Sequence, residues 1–344
     1  MKNEQGKLGV AIVGYGYWGP NLARNVQESS TLQLIHICDL LEPLRAKAAV
    51  QHPQTKITAS FEEALENSDL EVVIIATPPT THFRLARKAL EAGKHVLVEK
   101  PLAHTSEECR ILLKEAKKRG RVLMVDHTFA YTGAVRKVRE LTSALGPLNY
   151  YDSVRINLGL FQRDVNVLWD LAVHDLAILD NITGLRPIAV SATGLAHVQG
   201  YPTNTAYLTL FYEEAFIAHI HCSWMAPVKI RRTLLGGNRK MIVYDDLEPT
   251  EKIKVYDKGI SLNPTDEEKD DMRVDYRTAD VYSPKVEGKE ALSALLEELV
   301  DCVHTDRRPL TDGASGLRVV SILEAADKSL RLRGAPVELS LPKI

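Results

Sequence analysis

The sequence lacks an excess of charge of one sign and lacks long hydrophobic runs. It has 43 Lys+Arg against 45 Asp+Glu, a formal net charge of -2. A protein that binds nucleic acid usually has a basic surface to neutralise phosphates, so we expect no nucleic acid partner. The longest apolar runs, such as residues 72–76, are far shorter than the ~20 residues of a membrane-spanning helix. The first ten residues carry no apolar block typical of a secretory signal.

Cysteine is also scarce. The four cysteines are widely separated and form no CxxC pair: Cys38, Cys109, Cys222 and Cys302. This spacing is typical neither of a disulfide framework nor of a zinc knuckle, and it suits a reducing compartment. His219 and His221 have strand spacing but no third ligand nearby, so we predict no metal site. The composition therefore predicts a soluble cytoplasmic protein without a resident metal.

Short apolar runs alternate with helical stretches in the first third of the chain. The runs cover residues 8–13, 32–38, 72–76, 95–98 and 121–125. Strands that alternate with helices of this length imply right-handed βαβ crossovers and a doubly wound parallel sheet. Since 344 residues suggest about two domains, we predict a first domain with a Rossmann-type sheet over residues 1–126.

The pattern changes after residue 126. Strand-like segments now follow one another through short turns, such as Tyr212-Glu213, which is typical of antiparallel pairing. We predict an α+β domain over residues 127–344 with a large, mostly antiparallel open sheet. The charge-rich segment 261–276 is predicted to be a solvated loop, and the last helices could pack back on the first domain.

A glycine-rich turn, Gly14-Tyr15-Gly16-Tyr17-Trp18-Gly19, follows the first predicted strand and precedes a helix. In this context GxGxxG predicts a pyrophosphate site at the helix N-terminus. Asp39 ends the second strand, where a carboxylate binds a ribose 2′-hydroxyl and repels a 2′-phosphate. The sequence therefore favours NAD over NADP. The alternative is a tight structural turn followed by a surface aspartate.

Two more strands end in candidate site residues. Thr77 and Pro78 follow the strand at 72–76, and Lys100 follows the strand at 95–98. The carboxyl ends of parallel strands line the ligand crevice of such sheets, and a lysine there can shuttle a proton or stabilise an alkoxide. A rigid connector and a surface lysine are equally good interpretations.

The second domain offers a carboxylate and an imidazole. Asp170 and His174 are four residues apart on a predicted helix, so they share a face, and a carboxylate that orients an imidazole makes a credible base. Without further context, a satisfied helix histidine is the simpler interpretation. Further candidate substrate contacts lie just after the boundary between the two predicted domains or just before this helix: His127, Tyr131, Asn157, Arg163 and Asn166.

These motifs, in this order and rough spacing, resemble the Gfo/Idh/MocA oxidoreductases. The resemblance is carried by the glycine turn, by Ala76-Thr77-Pro78-Pro79 with His82, by Glu99-Lys100-Pro101 and by Asp170…His174. It implies a tightly held nicotinamide and a second domain that binds a sugar and forms a homodimer or homotetramer. It also implies that Lys100 and His174 are catalytic, with Asp170 orienting His174. The cofactor contacts are then Gly14, Gly16, Tyr17, Trp18, Gly19, Asp39, Thr77, Pro78, His82, Glu99 and Lys100.

Within the family, residues 14–21 and 169–175 resemble the branch that oxidises C3 of UDP-N-acetylglucosamine or its uronic acid. Two alternatives stay open: an inositol or free-aldose dehydrogenase, and a non-catalytic NAD-binding regulatory protein. Either His174 or Lys100 can be the proton acceptor. Asp170 and His174 complete the substrate contacts that the sequence predicts.

Overall fold

The computed structural model describes residues 6–159, 161–262, 274–277 and 280–341. The chain divides into two compact units. The first unit holds the described residues up to Tyr131 together with Lys289–Ser321. The second holds those of Thr132–Gly288 and from Ile322 onward. Among the described residues, no helix combines the length and the apolar character that a membrane crossing requires.

The first unit is a doubly wound parallel sheet. Its elements are β1 (Leu8–Val13), α1 (Gly19–Glu28), β2 (Leu32–Cys38), α2 (Glu42–Gln51), β3 (Lys56–Thr58), α3 (Phe61–Leu65), β4 (Leu70–Ile75), α4 (His82–Glu91), β5 (His95–Glu99), α5 (Ser106–Arg119) and β6 (Leu123–Asp126). The six strands lie in the order β3-β2-β1-β4-β5-β6 and pair in parallel. The predicted Rossmann sheet is confirmed.

Burial explains why these strands could be predicted. Every residue of β1 is buried, and β4 is buried except at Glu71, as expected for strands covered by helices on both faces. The segment α2-β3-α3 was not predicted, because its strand has three residues and its helix α3 has five.

The second unit begins with α6, and its sheet includes the last described strand, β17. The elements that follow β6 are α6 (Gly133–Thr142), β7 (Leu148–Leu158), α7 (Val173–Thr183), β8 (Ala189–Leu195), β9 (Thr205–Phe211), β10 (Ile217–Ser223), β11 (Met225–Gly237), β12 (Met241–Asp245), β13 (Ile253–Tyr256), β14 (Gly259–Leu262), β15 (Val274–Arg277), β16 (Val281–Tyr282), α8 (Ala291–Thr305), α9 (Gly313–Arg331) and β17 (Val337–Glu338).

Within the described part of the chain, nine strands form the second sheet, in the order β16-β13-β12-β11-β7-β10-β9-β8-β17. Only β7 and β10 are parallel among the described pairs of this sheet, which confirms the mostly antiparallel prediction. Buried and exposed residues alternate along β9 and β10, so one face is covered and the other, with Tyr207 and Ile217, is exposed.

Two predicted segments differ from the structure. The segment predicted as a solvated loop, 261–276, begins and ends in the antiparallel pair β14 and β15, while residues 263–273 lie outside the described residues. The predicted helix that carries Asp170 and His174 starts as a π-helical turn, Leu168–Ala172, and continues as α7.

Helix α8 belongs to the first unit, although it follows the whole second sheet in the sequence. Its leucines Leu295 and Leu299 join the core that contains Leu22 of α1. Arg24 of α1 and Glu290, which precedes α8, form an ion pair of 2.6 Å. The core of the first unit therefore depends on residues nearly 300 positions apart.

Candidate active site

The glycine turn between β1 and α1 has the shape that a pyrophosphate requires. Gly14 has φ +97°, and a Cβ there would lie 2.5 Å from the Ala76 carbonyl oxygen. A Cβ on Gly19 would lie 2.4 Å from the Gly14 carbonyl oxygen. A Cβ on Gly16, by contrast, would have no described atom within 4 Å outside its chain neighbours. Two of the glycines thus allow close packing, and the third leaves room for a ligand.

The N-terminus of α1 is open to an anion. Its N-cap residue is Trp18, which gives no side-chain cap, and a proline occupies the first turn. The first N–H groups of a helix have no partner within the helix and carry partial positive charge. These groups and the space above Gly16 fit the pyrophosphate of a dinucleotide.

A cleft of about 510 Å³ extends from this turn along the carboxyl edge of the sheet. Predicted cofactor contacts line it: Gly14, Gly16, Asp39, Thr77 and Pro78. Its other walls are largely apolar, with Leu40, Leu41, Leu44, Phe61 and Leu85. The flat faces of an aromatic ring such as adenine suit these walls.

Asp39 is held in place by the backbone around the cleft. Its Oδ2 accepts the Tyr15 N–H at 2.7 Å, and its Oδ1 accepts the Leu41 N–H at 2.8 Å. Each oxygen has a second lone pair, so the carboxylate can also accept ribose hydroxyls. Arg45 donates Nη1–H to the carbonyl oxygens of Asp39 and Leu40 at 2.9 and 2.8 Å.

His82 connects two loops of the carboxyl edge. Its side chain is fully buried, with Nε2 2.8 Å from the Thr77 carbonyl oxygen and Nδ1 2.8 Å from that of Pro101. Burial lowers the pKa of His82, which favours a neutral ring that donates to one of these carbonyls at a time. His82 therefore joins the loop that lines the cleft to the loop that follows Lys100.

Glu99 and Lys100 stand where β5 ends. The Lys100 N–H donates to Glu99 Oε2 at 3.2 Å, and Glu99 pairs in register with Asp126 at the end of β6. Burial, and after it the charge of Asp126, raises the pKa of Glu99 well above its usual range. Trp18 donates its indole N–H to Asp126 at 3.2 Å, whereas Tyr17 is 94% exposed.

In the second unit, Asp170 lies in the π-helical turn and His174 lies in the first turn of α7. Asp170 accepts the indole N–H of Trp224 at 3.0 Å. A π turn adds one residue relative to an α turn, so the i, i+4 rule does not carry directly across it. Such turns occur often at functional sites.

Asn166 and Trp169 are fixed by the last helix. The Asn166 Oδ1 accepts the N–H of Leu168, the first residue of the π turn, at 3.0 Å. Its amide and the Trp169 indole donate to the two oxygens of Asp327 at 2.7 and 2.8 Å. These bonds hold the start of the helix that carries His174.

An aromatic group surrounds Trp224. Phe161 meets the Trp224 ring edge-on at 5.8 Å, and it meets Tyr201 at 6.3 Å. Arg163 is exposed, with its guanidinium carbon 5.4 Å from the Tyr201 ring centre. Asn157, on β7, is half-buried. The structure thus places Arg163 in the same group as the ring that contacts Asp170.

His127 and Tyr131 follow β6 in the first unit and are both 1% exposed. The Tyr131 hydroxyl lies 3.0 Å from Thr311 Oγ1. Tyr131 thus belongs to the packed core of that unit. The role of these two residues as substrate contacts stays a prediction.

Comparison with known proteins adds to this geometry. Residues 8–127 match a model described as an oxidoreductase family with an NAD-binding Rossmann fold, and residues 115–243 match the GFO/IDH/MocA C-terminal domain. The two matches extend over well more than half of the chain. The chain belongs to the Gfo/Idh/MocA family of oxidoreductases. The predicted family and the predicted NAD cofactor are confirmed.

Several members of the Gfo/Idh/MocA family are similar over most of their length. The UDP-N-acetylglucosamine 3-dehydrogenase of Acidithiobacillus ferrooxidans is 29% identical over 258 residues, covering 74% of this chain and 77% of the relative. Its solved structure matches with a TM-score of 0.81 at 23% identity, covering 95% and 99% of the two chains. GenD2 from gentamicin A biosynthesis, solved in complex with NAD, has a TM-score of 0.81 at 23% identity, with 98% of each chain covered. These two structural likenesses show the shared fold.

Sequence reasoning missed an ion pair beneath α7. Arg155 of β7 donates from Nε and Nη2 to the two oxygens of Asp175 at 2.7 and 3.1 Å, and Ser153 donates to the same carboxylate at 2.7 Å. Both charged side chains are almost fully buried. The signal was an arginine at an inward position of an alternating strand. Asp175 follows His174 directly, so this pair anchors the turn that presents His174.

Proposed function

We propose that this protein oxidises a ring hydroxyl of a sugar by hydride transfer to NAD⁺, at C3 of a UDP-N-acetylhexosamine or its uronic acid. One observation carries the oxidoreductase part. The glycine turn, Asp39, Thr77 and Lys100 all stand at the carboxyl edge of one parallel sheet. The sugar nucleotide is supported by the likeness to UDP-N-acetylglucosamine 3-dehydrogenase over 74% of this chain.

Bound NAD⁺ supplies the hydride acceptor. His174 takes the proton of the hydroxyl group, and Asp170, itself fixed by the Trp224 indole N–H, orients the imidazole. Lys100 stabilises the developing alkoxide with its positive charge. The roles of His174 and Lys100 could be exchanged, because an amine and an imidazole can both accept a proton near neutral pH when their surroundings tune them.

Recognition of the nucleotide is assigned to the second unit. Arg163 is exposed beside an aromatic ring, and a guanidinium binds pyrophosphate oxygens in a bidentate manner. Asn157 and Asn166 are the nearby amides that could bind sugar hydroxyls. The exposed face of the second sheet, with Tyr207 and Ile217, would form the interface of a homodimer or homotetramer.

The catalytic assignment is tested with Lys100→Met and His174→Asn. Each should retain NADH affinity but lose roughly 100- to 10,000-fold in turnover, the usual contribution of a positioned acid or base. Lys117→Met, an exposed lysine on α5, is the matched control and should be unchanged. Wild-type turnover in both active-site variants would remove these residues from the mechanism.

The substrate assignment is tested by following NADH formation with UDP-N-acetylglucosamine, its uronic acid, inositols and simple sugars. A parallel assay adds a 2-oxoacid, which reoxidises retained NADH, and it follows the 2-hydroxyacid that is formed instead of NADH. Turnover only with nucleotide sugars supports the proposal, and turnover with inositols or free aldoses replaces it with a cyclitol or aldose dehydrogenase. Tight NADH binding without turnover on any substrate would favour a regulatory protein.

A further inference from the structure

Two carboxyl groups meet at the ends of β5 and β6. Glu99 and Asp126 are register partners in parallel strands, and neighbouring strands lie about 4.8 Å apart. Paired positions of parallel strands direct their side chains to the same face of the sheet. Asp126 is 2% exposed, and Glu99 is half-buried with its Oε1 atom buried. The two carboxyl groups therefore share one buried site.

Hydrogen-bond donors are divided unequally between the two groups. Asp126 accepts the Thr128 hydroxyl at 2.5 Å on Oδ1 and the Trp18 indole N–H at 3.2 Å on Oδ2. Glu99 accepts only the Lys100 backbone N–H among described donors, at 3.2 Å on Oε2. Its Oε1 is buried with no donor among the described residues. A lone carboxylate oxygen in that position is costly unless it carries a proton.

Two neighbouring carboxylates in a buried site cannot both ionise without a large cost. Asp126, with two side-chain donors, is the better place for the negative charge. The charged groups that act on Glu99 are Asp126, which opposes ionisation, and Lys100, which favours it more weakly. On the other side, β4 brings the apolar Ile75 next to Val98. The balance leaves the proton on Glu99.

We propose that Glu99 and Asp126 hold one proton between them, so that Glu99 is a neutral carboxylic acid beside the carboxylate that binds the glycine turn through Trp18. The single negative charge stays on Asp126, where Trp18 and Thr128 bind it. Trp18 is also the N-cap of α1, so Asp126 fixes the turn that receives the pyrophosphate. A second negative carboxylate beside that turn would repel the pyrophosphate. The shared proton removes this second negative charge.

Glu99 is thus a positioning residue that acts in its protonated, neutral form. The inference rests on NAD binding by the first unit and does not depend on which sugar is oxidised. Its test therefore needs no substrate, and its failure is distinct from a failure of the proposed sugar oxidation.

Infrared spectroscopy of the full chain at neutral pH tests the proton directly. The difference between wild type and Glu99→Gln should contain the carbonyl band of a protonated carboxyl group. The matched control is Glu107→Gln, which changes an exposed glutamate on α5, and it should give no such band. A difference spectrum of Glu99→Gln without the band would overturn the proposal. In Asp126→Asn the band should disappear at a lower pH than in wild type, and an unchanged midpoint would place the proton elsewhere.

NADH titrations of the same variants supply the functional readout. An amide mimics a neutral acid, since it too can donate to Asp126, so Glu99→Gln should bind NADH within about threefold of wild type at neutral pH. Wild-type affinity should fall at alkaline pH as Glu99 ionises, whereas Glu99→Gln should lose this dependence. A tenfold or larger loss at neutral pH in Glu99→Gln would mean that the carboxylate is required, and the proposal would be wrong.

Discussion

The ion pair of Arg155 and Asp175 gives the sharpest prediction about stability. Their side chains are 5% and 2% exposed, and two hydrogen bonds of 2.7 and 3.1 Å join them. Burial by itself lowers the pKa of Arg155, but the charge and hydrogen bonds of Asp175 outweigh it and leave the pKa raised. The guanidinium is therefore charged at any ordinary pH and depends on its partner.

Asp175→Asn keeps the size of the side chain and removes its charge. The buried guanidinium then remains without the carboxylate of Asp175, and breaking a buried pair in this way costs about 3–5 kcal/mol. For a unit of this size, that loss lowers the unfolding temperature by an amount on the order of 10 °C. The double variant Arg155→Met/Asp175→Leu removes both charges and should recover most of the loss, because well-packed apolar pairs often replace buried ion pairs without cost.

Urea unfolding followed by tryptophan fluorescence provides the assay. A Trp18→Phe background leaves Trp169 and Trp224, both in the second unit, as reporters. The matched control is Asp245→Asn, since Asp245 pairs with Arg232 at 2.9 Å but the arginine is 55% exposed. That control should cost less than about 1 kcal/mol. A loss in Asp175→Asn as small as in the control would refute the argument that burial makes this pair essential.

Three further predictions concern the first unit. Gly14→Ala should lower both stability and NADH affinity, because its Cβ would lie 2.5 Å from a carbonyl oxygen. Gly16→Ala should lower NADH affinity alone. Equal urea midpoints for the two variants would contradict this. Asp39→Ser should reduce the preference for NADH over NADPH in calorimetric titrations, since it removes the carboxylate next to Arg45; an unchanged ratio would show that Asp39 does not select. Burial lowers the pKa of His95 to about 4, so the unfolded chain binds protons first as pH falls from 6.5 to 4 and stability falls with it. His95→Gln should make that slope shallower in urea titrations, and an unchanged slope would assign it to other groups.

The first unit could be predicted well because its signals are local. The glycine turn, Asp39, Thr77 and Lys100 each follow a buried strand, and a parallel sheet brings every strand's carboxyl end to one edge. Sequence reasoning failed on α2-β3-α3, because β3 and α3 are too short for a periodic pattern and α2 buries only Ala48. It predicted that the last helices could pack back on the first domain, but it could not identify the core residues that α8 contacts, because an amphipathic pattern does not specify the partner of its apolar face.

The second unit was harder, since its important contacts join residues far apart in the sequence. Trp224 binds Asp170 and Asp327 binds Asn166. Neither pair forms a sequence motif from which the contact could be predicted. Asn166 illustrates the consequence. Its role as a substrate contact stays a prediction, whereas its bonds to the Leu168 N–H and to Asp327 of the last helix could not be predicted from its residue type. A residue type alone does not separate a group that binds a ligand from one that holds the backbone.

This difference bears on how one family can act on several substrates. The parts proposed to bind the dinucleotide are backbone turns and strand ends, and they tolerate little change because a Cβ at Gly14 or Gly19 would clash. The side chains around Asp170 are held instead by pairwise contacts with loops and with the last helix. Such contacts can be exchanged one pair at a time without altering the dinucleotide cleft. Changes of substrate preference should therefore come from exposed residues such as Arg163 in the second unit, while changes at the cleft should weaken NADH binding for every substrate alike.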